Sequence, residues 1–319
     1  MPEGPEVRCI TIKLNHFCQG QKLKAIKWND KSKYRSGLPQ YPEFSKYLPG
    51  TITGITCKGK QIIFILQSDQ SSDSIYIKST LGLEGRWSFR HDDNKHANLW
   101  LELDSYNLYY IDSRHFGNIT LYTSTDDLLN DLNGKVGPDL LAYAIEFNTG
   151  VEVVDDDDKI TIEKWTAKLR NKRLKNKQIC QFLMEQKYFS GIGNYLKAEI
   201  LYDAKIRPDR LLSQLSDQDI THLYQSTLKI IYNAFCAGGL TIKSYWQPTS
   251  PDAEGGKEGG KEDGKESGKE ESIKEEQEKL KGKYKKVIYD CSEDPLGHPI
   301  VKETFKDGRT THWVPQIQS

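Results

Sequence analysis

The first residues of the chain could supply a nucleophile. The sequence opens Met-Pro-Glu-Gly-Pro-Glu, and a small second residue normally permits removal of Met1, which leaves Pro2 with an unblocked secondary amine. An α-amino group titrates at about 7.7 to 8.0, so a neutral fraction exists at physiological pH, and its attack on a sugar C1′ gives an iminium. The carboxyl of Glu3, beside this amine, could move protons as a glycosidic bond breaks. Most chains that start with these residues do not use them in catalysis, so a catalytic role for Pro2 and Glu3 depends on the rest of the sequence.

Four internal runs also place candidate side chains within three residues of a glycine, a residue that favours turns. The candidate residues and their runs are Lys60 in Cys57-Lys58-Gly59-Lys60-Gln61, Leu83 in Thr80-Leu81-Gly82-Leu83-Glu84-Gly85, Arg114 and Phe116 in Asp112-Ser113-Arg114-His115-Phe116-Gly117, and Asn194 in Ser190-Gly191-Ile192-Gly193-Asn194-Tyr195. Each candidate also has an ordinary structural interpretation. Lys60 alone is an exposed hairpin lysine, Leu83 and Phe116 are core residues, and a Gly-x-Gly pair is a helix-turn-helix corner.

Taken in order, the N-terminal residues and these runs resemble the formamidopyrimidine-DNA glycosylase and endonuclease VIII family. The resemblance covers both halves of the chain and its tail. It implies that Pro2 is the nucleophile, that Glu3 shuttles protons and that Lys60 lies near the reacting sugar and its 3′ phosphate. Glu6 would tune the amine of Pro2, because a nearby carboxylate shifts the pKa of an amine.

The same resemblance implies a set of DNA contacts. Leu83, which stands where the family usually has methionine, would fill the space left by an extruded base. Arg114 would contact the orphaned base and Phe116 would wedge beside it. Extrusion loses stacking worth roughly a few kcal/mol, and an inserted wedge recovers part of it. Asn194, as the cap of a helix whose first amides are exposed, would bind a DNA phosphate.

The C-terminal tail departs from most bacterial relatives, in which a four-cysteine zinc finger closes the chain. The four ligand positions fall on Glu293, Leu296, Val314 and Ile317. None is a thiolate, and His298, His312 and Cys291 lack a tetrahedral spacing, so we expect no metal. Arg309 occupies the place of the finger's DNA-contacting arginine in a retained turn. A zinc-less finger is similar to the endonuclease VIII-like branch of vertebrates and giant viruses, which predicts a eukaryotic or viral source.

These candidates need a scaffold, and the hydrophobic pattern predicts one of the α+β class. Residues 1–135 combine a leading helix at 4–18 with short β-branched and aromatic runs, which predict an antiparallel β-sandwich. Residues 136–250 change to helical spacing, with the last long helix starting at Ser216 and stopping at Gly238. They contain the run Gln186–Leu201, around the Gly-x-Gly pair, which is similar to the family's helix-two-turn-helix signature. Residues 287–319 predict a β-hairpin finger, with candidate strands at 286–289, 300–304 and 310–313.

Residues 251–286 differ from the rest of the chain. They consist mainly of acids, lysines and glycines, including a repeated Gly-Gly-Lys-Glu, and contain almost no apolar side chain. This composition predicts a disordered insertion. The insertion falls where the family has a mobile lesion-contacting loop, so the resemblance leaves the preferred lesion open.

Length and composition set further bounds. With 319 residues and 36% hydrophobic content, the chain can form two domains with cores. Its six cysteines include no Cys-x-x-Cys pair, so reduced thiols are expected. No apolar run approaches the roughly 18 residues of a membrane span, and acidic residues stand where a signal peptide would be basic. We therefore expect an intracellular protein, in the nucleus or a viral replication compartment. The formal net charge of +0 leaves local charge as the determinant of nucleic-acid binding.

Together these observations predict a bifunctional DNA glycosylase and abasic-site lyase of base excision repair. We expect a monomer without a cofactor, acting on damaged duplex or single-stranded DNA and mainly on oxidised pyrimidines, with β,δ-elimination after the iminium forms. One alternative is a purine-directed glycosylase for 8-oxoguanine or formamidopyrimidine. Another is a non-catalytic damaged-DNA or RNA-binding module. A ribosome-associated factor that shares the helical motif leaves the β-rich half unexplained.

Overall fold

A helix leads into the described part of the chain. The computed structural model describes residues 2–89, 97–150, 154–155, 158–240 and 284–319. Helix α1 spans Gly4–Cys18, and its first turn is fixed by a capping box between Glu3 and Glu6. One face of α1 is buried against the strand that spans Gly50–Lys58. The leading helix predicted at 4–18 is therefore confirmed.

The strands that follow form one antiparallel sheet. The sheet contains β1 (Lys22–Trp28), β2 (Gly50–Lys58), β3 (Gln61–Ser68), β4 (Ser74–Thr80), β5 (Arg86–Ser88), β6 (Ala97–Leu103), β7 (Asn107–Ile111) and β8 (Asn118–Tyr122). Its strand order in the described residues is β5-β7-β6-β1-β2-β3-β4-β8. A short helix, α2 (Tyr41–Phe44), lies between β1 and β2.

The sheet folds over an aromatic core. β3 and β5 are not neighbours in the strand order, yet the rings of Phe64 and Trp87 meet edge to face with centroids 5.2 Å apart. The indole Nε1 of Trp87 donates to Ser79 Oγ on β4 at 3.2 Å, so this buried ring leaves no unpaired polar atom. Such contacts require two layers, and the predicted antiparallel β-sandwich is confirmed.

The second half is helical, as its sequence period predicts. Helix α3 (Thr125–Leu132) follows β8 and packs on the sheet, with Leu128 and Leu132 against Tyr76 and Tyr122. The helices of the second half are α4 (Leu140–Thr149), α5 (Ile162–Leu169), α6 (Ile179–Met184), α7 (Asn194–Asp203) and α8 (Asp217–Cys236). Ser216 caps α8 by accepting from the Asp219 amide at 3.1 Å. Gly238, at φ +74°, follows the end of α8, so both predicted boundaries of this helix are confirmed. α7 follows the glycine pair of the helix-two-turn-helix run.

The tail forms a hairpin packed on α7. Its strands are β9 (Val301–Thr304) and β10 (Thr310–Trp313), close to two of the three predicted strands. The predicted strand at 286–289 is wrong. The amides of Val287, Ile288 and Tyr289 instead donate to the carboxylate of Glu199 on α7, at 2.8, 3.0 and 2.8 Å. A single acceptor for three successive amides bends the backbone and prevents a β ladder.

A second carboxylate organises the loop before β9. Asp294 accepts from the amides of Leu296 and His298 at 2.9 and 2.8 Å, and from the hydroxyl of Tyr202 at 3.0 Å. Val314, a zinc-ligand position in the resemblance, is instead a core residue that packs with Ile288. Side chains of the chain itself therefore hold the tail to α7.

Residues 251–283 of the predicted insertion lie outside the described residues. Within the described ranges, no helix combines the length and apolar content needed to cross a membrane.

Candidate active site

The carboxylate of Glu3 joins the β-sandwich to the helical domain. It is 2% exposed and accepts from the amides of Gly193, Tyr195 and Leu196, at 2.7, 2.9 and 3.2 Å. These are unpaired donors at the start of α7, where the helix dipole also favours a negative charge. Pro2, next to Glu3, is buried as well. The N-terminus is thus fixed against the helix-two-turn-helix motif.

This arrangement corrects one expectation about α7. The amides predicted to be exposed for a DNA phosphate are occupied by Glu3, and Gly193, not Asn194, is the N-cap. A Cβ on Gly193 would lie 2.3 Å from the Glu3 carboxyl, so glycine is required by this close approach. Asn194 is half-buried, and its Nδ2 donates to the carbonyl of Thr310 at 2.9 Å.

Glu6 fixes the position of Glu3. Its carboxylate accepts from the Glu3 amide, the Tyr195 hydroxyl and the Leu240 amide, each at 2.8 Å. Because it is 4% exposed, burial raises the pKa of the Glu6 carboxyl. Glu6 therefore ties the start of α1 to α7 and to the segment after α8. Tyr195, which completes this network, was not identified from the sequence although it lies within the Gly-Ile-Gly-Asn-Tyr run.

Lys60 reaches the same place from the β2–β3 turn. Gly59 occupies the first central position of this two-residue turn at φ +57°, and its amide donates to Asp139 Oδ2 at 2.9 Å. A Cβ on Gly59 would lie 2.6 Å from the Ser190 Cβ, so the turn packs directly on the helical domain. The chain thereby brings the Lys60 ammonium into electrostatic contact with Glu3.

The environment shifts both charged groups towards neutrality. Burial raises the pKa of the Glu3 carboxyl to about 7, although the positive charge of Lys60 opposes this rise. Burial lowers the pKa of the Lys60 ammonium, Glu3 opposes that change, and the charge of Arg309 adds to it. A carboxyl that titrates near neutral pH can both donate and accept a proton in one reaction cycle.

The β9–β10 turn places a second cation at this site. Arg309 is exposed, and its amide donates to Asp307 Oδ1 at 3.1 Å. Asp307 forms a buried ion pair with Lys197 of α7, whose side chain is 0% exposed. Because an unpaired buried charge is costly, this pair fixes the turn on α7. Pro2, Glu3, Lys60 and Arg309 therefore gather at one domain junction.

Leu83, Arg114 and Phe116 form a second group on two loops of the sandwich. A Cβ on Gly82 would lie 2.5 Å from the amide of Gly117, so the two loops are in direct contact. The Arg114 guanidinium lies 5.2 Å from the centroid of the Phe116 ring. Phe116 is 60% exposed and therefore not the core residue that its sequence alone suggests, whereas Leu83 is half-buried. An exposed aromatic beside a cation is typical of a binding surface.

The described residues offer no metal cluster beside these two groups. Over 2–89, 97–150, 154–155, 158–240 and 284–319, no three His, Cys, Asp or Glu side chains are placed to hold one ion. The four positions of the tail expected to replace zinc ligands include Leu296, which is 70% exposed, and Val314, which is fully buried.

Family models match both domains. That of the formamidopyrimidine-DNA glycosylase N-terminal domain matches residues 1–119, and that of the H2TH domain of the same glycosylase matches residues 152–245. The formamidopyrimidine-DNA glycosylase of Lactococcus lactis subsp. cremoris is 31% identical over 249 residues, covering 77% of this chain and 82% of that protein. The Listeria monocytogenes serotype 4b protein of the same name is 26% identical over 329 residues, covering 100% of both.

Solved structures agree with this assignment. The crystal structure of MutM (Fpg) from Thermus thermophilus shares the fold with a TM-score of 0.74, 21% identity and coverage of 99% of this chain and 98% of that one. Lactococcus lactis Fpg in complex with DNA containing an abasic site gives a TM-score of 0.72 at 25% identity, covering 99% of both chains.

These relatives are bacterial, so they do not support the expected eukaryotic or viral source or a nuclear or viral compartment. They also leave the endonuclease VIII-like branch and the preference for pyrimidines without support. What the matches share is the family itself. The chain belongs to the formamidopyrimidine-DNA glycosylase family, whose members are base-excision-repair DNA glycosylases with abasic-site lyase activity.

Proposed function

We propose that this chain removes a damaged base through the amine of Pro2, once Met1 has been removed. The amine attacks C1′, the C1′–N bond to the base breaks, and the base leaves with the electron pair and takes up a proton. The Pro2 nitrogen then gives up its proton, and opening of the sugar ring, with protonation of its oxygen, yields the iminium between Pro2 and C1′. Glu3 supplies and recovers these protons. The observation that carries the proposal is the buried Glu3 beside Pro2, with its pKa raised to about 7.

The lyase step follows from the same iminium. Its positive charge acidifies C2′, so loss of a C2′ proton expels the 3′ phosphate, and a second elimination expels the 5′ phosphate. We propose that Lys60 and Arg309 neutralise the phosphates that flank the reacting sugar, and that Asn194 orients one of them. Arg309 lies near enough for its charge to lower the pKa of Lys60, which supports an anionic partner shared by the two cations. The abasic-site DNA bound by Lactococcus lactis Fpg has the corresponding chemistry.

We expect the cleavage products to reveal both eliminations. A duplex with one abasic site and labels on both ends of the damaged strand is incubated with protein whose chain starts at Pro2. The predicted products carry phosphate at both ends of a one-nucleotide gap, because both C–O bonds break. Products with an unsaturated sugar at the 3′ end would limit the chain to the first elimination. An intact strand would contradict the lyase proposal.

We propose oxidised pyrimidines as the main lesions. The support is the tail, in which Glu293, Leu296, Val314 and Ile317 replace zinc ligands as in the zinc-less branch. The names of the bacterial relatives favour the alternative, a purine-directed glycosylase. Another Lactococcus lactis Fpg structure contains DNA with an oxidised pyrimidine, but at 24% identity it informs the fold alone.

Base-release assays separate the two substrate classes. Duplexes of one sequence carry 5-hydroxycytosine, thymine glycol, 8-oxoguanine or formamidopyrimidine-guanine, and single-turnover rates of base release are compared. We expect the pyrimidine lesions to react at least about tenfold faster, since pocket contacts of this kind are worth about 1–3 kcal/mol. The purine-directed alternative predicts the reverse order. Equal rates would contradict a preference in either direction.

We also propose that the tail folds without zinc. Glu199 and Asp294 together accept from five backbone amides, which supplies the constraint that a metal supplies elsewhere. Three of the four aligned ligand positions carry aliphatic side chains, which cannot bind zinc.

Chelating metal should therefore leave the stability of the protein unchanged, whereas removing the Glu199 carboxylate should lower it. Dialysis against a chelator leaves the melting temperature and DNA affinity unchanged, whereas Glu199→Ala lowers the free energy of unfolding by about 3 kcal/mol because three backbone donors lose their acceptor. Glu293→Ala, at an exposed position of the same tail, is the matched control and changes stability by less than about 0.5 kcal/mol. Stoichiometric zinc, or melting caused by the chelator, would refute the proposal.

A further inference from the structure

The loop that carries Arg114 and Phe116 is closed at its base by Asp112. The Asp112 carboxylate is fully buried, and its Oδ2 accepts from the amide of Gly117 at 2.6 Å. The amide of His115 donates to the Asp112 carbonyl at 3.3 Å. Asp112 thus joins the two ends of a six-residue loop, residues 112–117, whose tip is exposed.

Lys33, from another loop of the sandwich, contacts residues 112–117. It lies in the turn after β1, more than 80 residues earlier in the chain, and its Nζ donates to the carbonyls of His115, at 3.4 Å, and Gly117. These carbonyls lie on either side of Phe116. The Lys33 ammonium also interacts electrostatically with Asp112. One cation therefore fixes the backbone on both flanks of the exposed aromatic ring.

The backbone of this loop needs such support. His115 has φ +58°, in the left-handed region, which costs a residue other than glycine roughly 1–2 kcal/mol. At Gly117 a Cβ would lie 1.9 Å from the Tyr110 hydroxyl, so the loop re-enters the core through a gap that admits only glycine. Phe116 and Arg114 stack on each other at the tip but are exposed to solvent, and the ion pair of Arg114 with Glu84, at 3.4 Å, is equally exposed and therefore weak. Contacts at the base of the loop must therefore hold its shape.

We propose that Lys33 and Asp112 are positioning residues that hold Phe116 and Arg114 ready to enter the duplex where a nucleotide has been extruded. The proposal rests on the proposed function and on the DNA contacts that the family resemblance implies for these side chains, Arg114 at the orphaned base and Phe116 as the wedge beside it. Prearrangement lowers the ordering cost of insertion, so it strengthens binding to a damaged duplex. It does not affect a single strand, which has no opposite base and no stack to fill.

The test compares affinities for DNA that cannot react. Full-length protein beginning at Pro2 is titrated with a duplex that contains one tetrahydrofuran abasic analogue, with the undamaged duplex, and with the tetrahydrofuran single strand. The variant is Lys33→Met. The matched control is Lys31→Met, which removes a lysine from the same turn whose ammonium has no partner among the described residues. Lys33→Arg keeps a cation that can donate to both carbonyls.

We expect Lys33→Met to weaken binding to the tetrahydrofuran duplex about tenfold more than Lys31→Met does, with equal affinities of the two variants for the single strand. Lys33→Arg should stay within about threefold of the unaltered protein. If Lys33→Met and Lys31→Met weaken duplex binding equally, Lys33 is only a surface charge that attracts phosphate, and its proposed positioning role is refuted. An equal loss on the duplex and the single strand would also refute it.

Failure of the proposed function has a different signature. The affinities do not depend on the Pro2 amine, so the positioning role of Lys33 can be measured even in a protein that never cleaves DNA. If the unaltered protein shows no preference for the tetrahydrofuran duplex over the undamaged one, Phe116 and Arg114 do not enter the duplex and the positioning proposal is overturned. Cleavage at an abasic site would in that case still support Pro2 as the nucleophile.

Discussion

A protein that keeps one extra residue before Pro2 is expected to lose cleavage of abasic-site DNA by at least about 1000-fold, because the acylated nitrogen is no longer a nucleophile. The comparison is with protein that starts at Pro2, in single-turnover cleavage of one labelled duplex. The loss arises in the covalent step, because an N-terminal proline is the only residue that supplies a free secondary amine.

Binding separates this effect from misfolding. The extended protein should bind a tetrahydrofuran duplex within about fivefold of the native-start protein, since Lys60 and Arg309 retain their charges. Its melting temperature should also be preserved. Cleavage within about tenfold of the native-start rate would show that another group forms the covalent intermediate.

Glu3→Gln is expected to slow base release by about 100-fold or more, which is the usual contribution of a general acid–base group. The amide side chain keeps an oxygen that can accept from the start of α7, but it cannot carry a transferable proton. Cleavage of a preformed abasic site should slow less, because no base has to be protonated as it leaves. Single-turnover release of a lesion base, followed by cleavage of an abasic duplex, measures the two steps separately.

The pH profile gives a second reading of Glu3. Burial raises the pKa of its carboxyl to about 7, so the proton-donating form is lost as the pH rises through this value. The neutral, nucleophilic form of the Pro2 amine is lost as the pH falls below about 7.7 to 8.0, where an α-amino group is protonated. The rate of base release is therefore bell-shaped, and Glu3→Gln removes the decline on the alkaline side. Glu199→Gln is the control for losing a buried carboxylate that accepts backbone amides, and it should leave the profile unchanged.

Local signals explain why much of the fold could be predicted. Short β-branched and aromatic runs indicated the strands of the sandwich, and the Ser216 capping box indicated the start of α8. The failed strand at 286–289 shows the limit of such signals. Its residues have strand-like composition, but Glu199, some 90 positions earlier, takes their amides. A contact of that kind has no trace in the local sequence.

The candidate site divides in the same way. Pro2, Glu3 and Lys60 were found because the types and order of their neighbours match a family, and the folded chain brings Glu3 and Lys60 into electrostatic contact. The role of Glu3 as acceptor for the first amides of α7 could not be foreseen, because its partners lie about 190 residues away. Lys33 has no distinguishing neighbours and acquires meaning only through the carbonyls that it contacts.

The central claim is that Pro2 forms the covalent intermediate, and borohydride trapping on an abasic-site oligonucleotide tests it most directly. Native-start protein and a Pro2→Thr variant are trapped side by side, and the cross-linked residue is identified by mass spectrometry. We expect one adduct, located on Pro2, and strongly reduced trapping of the variant. Equal trapping of the variant at another residue, or DNA binding without any adduct in the native-start protein, would contradict it.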